Sequence, residues 1–155
     1  SAIVDFGLAV EKVEAAVAAA RAQDFPFALT ARSENFIRGN PDLDDTIRRL
    51  QAFEAAGADV LYAPGLPSLE AVRTVCQSVG KPVNVVMGLT GSGMTTAQLA
   101  AVGVRRISLG GVLARAALGA FMAAAAEIQA GSYNFVDDAA SFAKISQYMK
   151  RPEPS

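Results

Sequence analysis

The chain has no histidine and no tryptophan, and Cys76 is its only cysteine. Without an imidazole there is no His-ligated zinc and no Ser-His-Asp relay for hydrolysis. A single cysteine rules out an intrachain disulfide and a cysteine-based metal cluster. Cys76 falls among Leu69, Val72, Val75 and Val79 at helical spacing, so it reads as a buried, inert thiol rather than a nucleophile. An excess of one charge is also missing. The 14 basic and 15 acidic side chains are interspersed and leave a net charge of −1, which gives nucleic acid no basic stripe. Neither a Walker sequence nor a dinucleotide fingerprint occurs. The longest apolar stretch, Ala116–Ala126, contains Gly119 and is too short for a bilayer. It is expected to form a helix packed on most of its sides, with no membrane as partner. No leader pattern opens the chain, and a cytoplasmic location is the default expectation.

What is present is apolar and rhythmic. Hydrophobic residues make up 52% of 155 positions, enough for one domain with a real core. Gly57, Gly80 and Gly103 recur every 23 residues, and each precedes a short apolar run: 59–63, 82–86 and 106–109. That beat is the mark of consecutive βα units, with each glycine expected in the left-handed position that ends a helix. An earlier helix, Leu8–Gln23, leads into a first strand at Phe25–Ala31. Further helices are expected from Pro41 or Asp42 to Gly57, from an N-cap at Ser68 to Val79, and briefly through Leu99. Two more are expected at Val112–Ala130 and Phe135–Met149. The fold class is therefore α/β. It has four βα units of a TIM-type (β/α)8 barrel, or alternatively a small open sheet, plus C-terminal helices. A closed barrel needs roughly 200 residues or more, so four units make half of one.

In such folds ligands bind where the parallel strands end. The loop 32–41 after the first strand is longer than the beat requires, and Arg32 stands at its start. An arginine there can clamp a carboxylate or phosphate by two-point contact. Glu34 is placed to orient Arg32 or to reach a metal-bound water. The alternative is an exposed surface ion pair. Strand alternation puts Thr30, Arg32, Asn84 and Ser108 on the face opposite the bulky apolar set. A buried Asn84 needs hydrogen bonds, either to neighbouring strands or to a ligand. The turns Gly88–Gly93 and Gly110–Gly111 offer backbone amides to an anion, though glycine pairs are also ordinary tight turns. Two non-enzymatic or different readings stand beside catalysis: a half-barrel binding or assembly module, and a phosphate-binding half-barrel.

Several of these stretches taken together resemble the isocitrate lyase/phosphoenolpyruvate mutase superfamily, in its phosphonomutase-like branch. They are Leu29–Phe36, Asp42–Leu50, Ala55–Leu61, Lys81–Val85 and Val104–Gly111, in that order. The resemblance runs from about Val10 to Tyr133. It implies the C-terminal half of the barrel over residues 1–133, and a terminal helix and tail over 134–155 that packs on a neighbouring subunit. It also implies a carbon–carbon lyase or phosphonomutase-like enzyme that acts on C–C or P–C bonds of small 2-oxo or 2-hydroxy acids through an enolate. Arg32 and Glu34 would be catalytic. Thr30, Arg32, Asn84, Ser108, Gly110 and Gly111 would bind a small carboxylate substrate. The cofactor implied is Mg2+, with its ligands in the N-terminal half and none in this chain. The assembly implied is a homo-oligomer, a tetramer with swapped C-terminal helices.

Overall fold

The computed structural model describes residues 3–88 and 93–150. By contacts the chain divides into two compact units, Ser1–Gly110 and Gly111–Ser155.

The first unit holds α1 (Phe6–Arg21), β1 (Thr30–Arg32), α2 (Leu43–Ala55), β2 (Val60–Tyr62), α3 (Leu69–Ser78), β3 (Val83–Val86), α4 (Thr96–Ala101) and β4 (Arg106–Ser108). All neighbouring strands are parallel, and their order in the sheet is β1-β2-β3-β4. A sheet whose spatial order follows chain order progresses in one direction, as a barrel sector does. A doubly wound sheet would reverse at a switch point.

Local chemistry sets the helix starts. Asp5, Asp42 and Ser68 each cap a helix by accepting a backbone N–H three residues on. Thr95 and Gln98 close a reciprocal capping box on α4. The glycine beat holds at two positions of three. Gly57 and Gly103 are left-handed, with φ of +99° and +103°. Gly80 is not, because α3 leaves its helix through an extended Val79 instead. The Glu54 carboxylate accepts the Gly80 N–H at 2.9 Å, and a Cβ there would sit 2.7 Å from Oε1, a flexible side-chain end that could shift.

One face of the sheet carries the core. Ala31, Leu61 and Val83 pack with Leu50 and Phe53 of α2, Val72 and Val75 of α3 and Leu99 of α4. Cys76 is half-buried beside this core, and burial raises its thiol pKa, with Arg105 opposing. Gly103 leaves room for it, since a Cβ there would lie 3.0 Å from the Cys76 Cβ.

The second unit holds α5 (Val112–Gln129), a 3-10 turn over Asn134–Asp138 and α6 (Phe142–Met149). It departs from expectation twice. The helix read over Phe135–Met149 is broken, because Ala139 turns extended and Ser141 caps a new helix by accepting the Lys144 N–H. The alanine-rich α5 has no buried residue, and its main packing partner within the unit is the short 3-10 turn. By length and composition alone α5 is apolar enough to cross a bilayer, more than the run Ala116–Ala126 suggested. A core helix of an α/β barrel meets the same two criteria.

Candidate active site

The other face of the sheet gathers polar side chains. The register sets Thr30 beside Val60, Arg32 beside Tyr62, Tyr62 beside Asn84, Asn84 beside Arg106, and Val86 beside Ser108. Thr30, Arg32, Asn84 and Ser108 therefore share one face, as alternation predicts. Tyr62 and Arg106 join them. Neither was picked out from sequence, although period-2 counting along β2 and β4 places both on this face.

Arg32 ends β1 and is held on two sides. Its Nε lies 2.6 Å from Glu34 Oε1, and its guanidinium carbon stands 5.0 Å from the centre of the Tyr62 ring. Glu34 also faces Arg38, with Nε 3.4 Å from Oε2. The Arg32 and Glu34 side chains are 47% and 31% exposed, so the pair adds little stability, and its value is orientation. With Nε turned to Glu34, the two terminal nitrogens of Arg32 have no hydrogen-bond partner among the described residues. Burial pushes the Tyr62 hydroxyl pKa up, the Arg32 charge opposes this and Glu34 adds to it. The phenol thus keeps its proton at neutral pH.

Alternation continues past the strand and divides the loop. Arg32 is exposed and Glu34 half-buried, while Ser33 and Asn35 are 2% and 0% exposed. Ser33 Oγ donates to Asn35 Oδ1 at 2.6 Å, and Asn35 Nδ2 donates to Asp45 Oδ2 at 2.8 Å. Asp45 accepts from Arg49 at 2.7 Å and from Arg48 at 2.6 Å, and Arg49 reaches the Val4 carbonyl. Burial works against the Asp45 charge. Hydrogen bonds from Arg49, Arg48 and Asn35 outweigh it and hold the carboxyl well below the usual range. This chain of bonds ties the loop to α2 and so fixes where Arg32 and Glu34 stand. The loop after β2 supports it from the other side. Gly65 has φ of +85°, and a Cβ there would lie 2.9 Å from Ile37 Cγ2. A cleft of about 200 Å³ borders the same loop, lined by Arg32, Glu34, Asn35, Val13, Arg49 and Phe53.

Asn84 is 1% exposed and its amide is engaged at both ends. Arg106 Nη1 donates to Oδ1 at 2.9 Å, and Nδ2 donates to Ser108 Oγ at 3.0 Å. Of the two uses foreseen for this side chain, bonding to a neighbouring strand is the one the structure contains. The second amide N–H and the Ser108 hydroxyl proton meet no acceptor among the described residues. Gly110 is left-handed, with φ of +53°, and Gly111 is the N-cap of α5 without a side-chain cap. Leu89–Ser92, most of the other glycine-rich turn, lie outside the described residues.

Known proteins share this sequence and this arrangement of strands and helices. The family model described as phosphoenolpyruvate phosphomutase matches residues 1–129. A protein inferred to be a lyase/mutase from Burkholderia cenocepacia J2315 superposes with a TM-score of 0.92 at 51% identity, over 97% of this chain and 54% of that one. Phosphonopyruvate hydrolase, solved with oxalate and Mg2+, superposes with a TM-score of 0.74 at 27% identity, over 95% and 53%. Oxaloacetate decarboxylase from Paraburkholderia xenovorans (strain LB400) is 37% identical over 82 residues, 53% of this chain and 26% of that protein. The chain thus spans about half the length of these two solved relatives, and its match covers about a quarter of the decarboxylase.

Proposed function

The chain belongs to the phosphoenolpyruvate phosphomutase family, and from that premise we propose that it supplies one half of an active site that cleaves or rearranges a C–C or P–C bond in a small 2-oxo or 2-hydroxy acid. The observation that carries this reading is Arg32, a strand-end guanidinium braced by Glu34 at 2.6 Å and by the Tyr62 ring. In the proposal its terminal nitrogens clamp one substrate carboxylate, and Asn84 and Ser108 hold a second anionic oxygen. Thr30 lines the same face, and the backbone at Gly110 and Gly111 offers further amides. Breaking the bond beside the carbonyl leaves its electron pair as an enolate, and fixed positive charge lowers the cost of that charge.

Among the described residues no three His, Cys, Asp or Glu side chains cluster to hold a metal ion. The described residues by themselves thus offer no carboxylate cluster that fits Mg2+. We assign the Mg2+ implied by the family to carboxylates of the other barrel half, and no step of the proposal runs through it.

The test is Arg32→Ala in the complete enzyme, assayed with oxaloacetate-type acids and Mg2+. Loss of a charge-assisted two-point contact costs about 3 kcal/mol, over a hundredfold in kcat/KM. Arg32→Lys keeps the charge without the fork and recovers part of the loss. Unchanged kcat/KM in Arg32→Ala refutes the assignment.

A second reading concerns assembly and is favoured by one observation. Leu113, Leu118, Phe121 and Met122 of α5, and Phe142 and Tyr148 of α6, are exposed. In this proposal residues 1–133 are the barrel half, and 134–155 pack on a neighbouring subunit of a cytoplasmic homo-tetramer. Sedimentation at micromolar concentration measures it directly, and a monomer rules it out.

A further inference from the structure

Two charged strand residues lie on the polar face, Arg32 and Arg106, and the proposed substrate contacts use only the first. Arg106 stands directly beside Asn84 in the register and donates Nη1 to its Oδ1 at 2.9 Å. A primary amide has two ends of nearly equal shape, and half a turn exchanges donor for acceptor. A guanidinium offers donors only. The end of Asn84 that meets Arg106 is therefore fixed as the carbonyl oxygen, and its NH2 must face away. That NH2 donates to Ser108 Oγ at 3.0 Å. Ser108 lies two residues beyond Arg106 on β4, toward the end of the sheet where Arg32 closes β1. Because its oxygen accepts from Asn84, the Ser108 hydroxyl turns its proton elsewhere.

We infer that Arg106 is a positioning residue that sets the polarity of the Asn84–Ser108 pair. By holding the amide oxygen it makes the pair present two donors, an N–H and an O–H, and so selects an anionic oxygen over a neutral group. The inference rests on the proposed function in taking Asn84 and Ser108 as carboxylate contacts. Arg106 acts through Asn84 and does not itself touch the substrate.

Three substitutions rank the effect in the full-length protein. Arg106→Lys still offers only donors, Arg106→Met offers nothing, and Arg106→Glu offers an acceptor that favours the turned amide. With 15N-labelled asparagine, the Asn84 side-chain signal is identified by its loss in Asn84→Ala. It should hold its position in Arg106→Lys and move in Arg106→Met and Arg106→Glu. The anion probe is oxalate in excess Mg2+, titrated by calorimetry. Arg106→Met should weaken oxalate about tenfold, Arg106→Glu more, and Arg106→Lys less than about threefold. The Asn84→Ala background separates orientation from simple charge, and there Arg106→Met should change oxalate affinity less than about twofold. Equal weakening in both backgrounds overturns the inference, as does an unmoved amide signal in Arg106→Met. No oxalate binding by the unaltered protein overturns it too. Failure of the proposed function alone looks different: Arg32→Ala keeps full activity while the amide signal still answers to Arg106.

Discussion

On the helix-covered face of the sheet, Ala31, Leu61 and Val83 are at most 5% exposed and pack in one apolar cluster with residues of α2, α3 and α4. On the opposite face the next residue along each strand is Arg32, Tyr62 or Asn84. There Arg32 stacks on Tyr62, and Asn84 is bonded to Arg106 and Ser108. The two faces are made by the same short strands, three or four residues each. One residue of register separates stability from chemistry, so slipping a strand by one would exchange the two. The helix face tolerates apolar change of similar volume, whereas the polar face depends on which atom donates to which.

Leu61→Ala tests the division most severely. Leu61 is 0% exposed, and its truncation should cost about 3 kcal/mol in equilibrium urea unfolding, with oxalate affinity of the folded protein unchanged. If affinity falls in step with stability, the faces are not separable. Asp45→Asn probes the bonds that join the loop to α2, and should cost about 2 kcal/mol at neutral pH. The folded-state pKa of Asp45 is depressed, so its contribution is complete above the ordinary value near 4 and fades as pH falls through the folded value. Unfolding of Asp45→Asn should therefore show a flatter acid limb below about pH 4, and an acid limb as steep as before would place the titrating group elsewhere. Tyr62→Leu is the mildest. Loss of the ring beside Arg32 should lower kcat/KM about threefold, while Tyr62→Phe stays within about twofold because the ring remains. A larger drop in Tyr62→Phe would move the weight from the ring to the hydroxyl.

What could be read in advance divides along the same line. The βα beat, the helix start near Asp42, the cap at Ser68, and the face shared by Thr30, Arg32, Asn84 and Ser108 all follow from local spacing. Gly80 breaks the expected pattern because Val79 is already extended, and its N–H meets the carboxylate of Glu54, 26 residues away in the chain. Ser33 and Asn35 look like ordinary loop residues, and only their tertiary partner Asp45 makes them a buried anchor. Arg106 looks like a charge at the start of a strand until the register sets it against Asn84. The apolar residues of α5 signalled a buried helix, yet burial needs a partner surface that the helix does not itself encode. Local pattern reports which way a side chain points, and long-range pairing decides what it finds there.

The strand order β1-β2-β3-β4 has a consequence for how the chain is made. Each of β2, β3 and β4 hydrogen-bonds to the strand synthesised just before it, so its partner already exists when it leaves the ribosome. Each closure spans one helix and its loops, so within this sheet the strands add one neighbouring unit at a time. The exposed trailing edge during synthesis is the newest strand, covered as soon as the next unit emerges. Assembly in this order limits the time during which an unpaired edge can recruit a foreign chain.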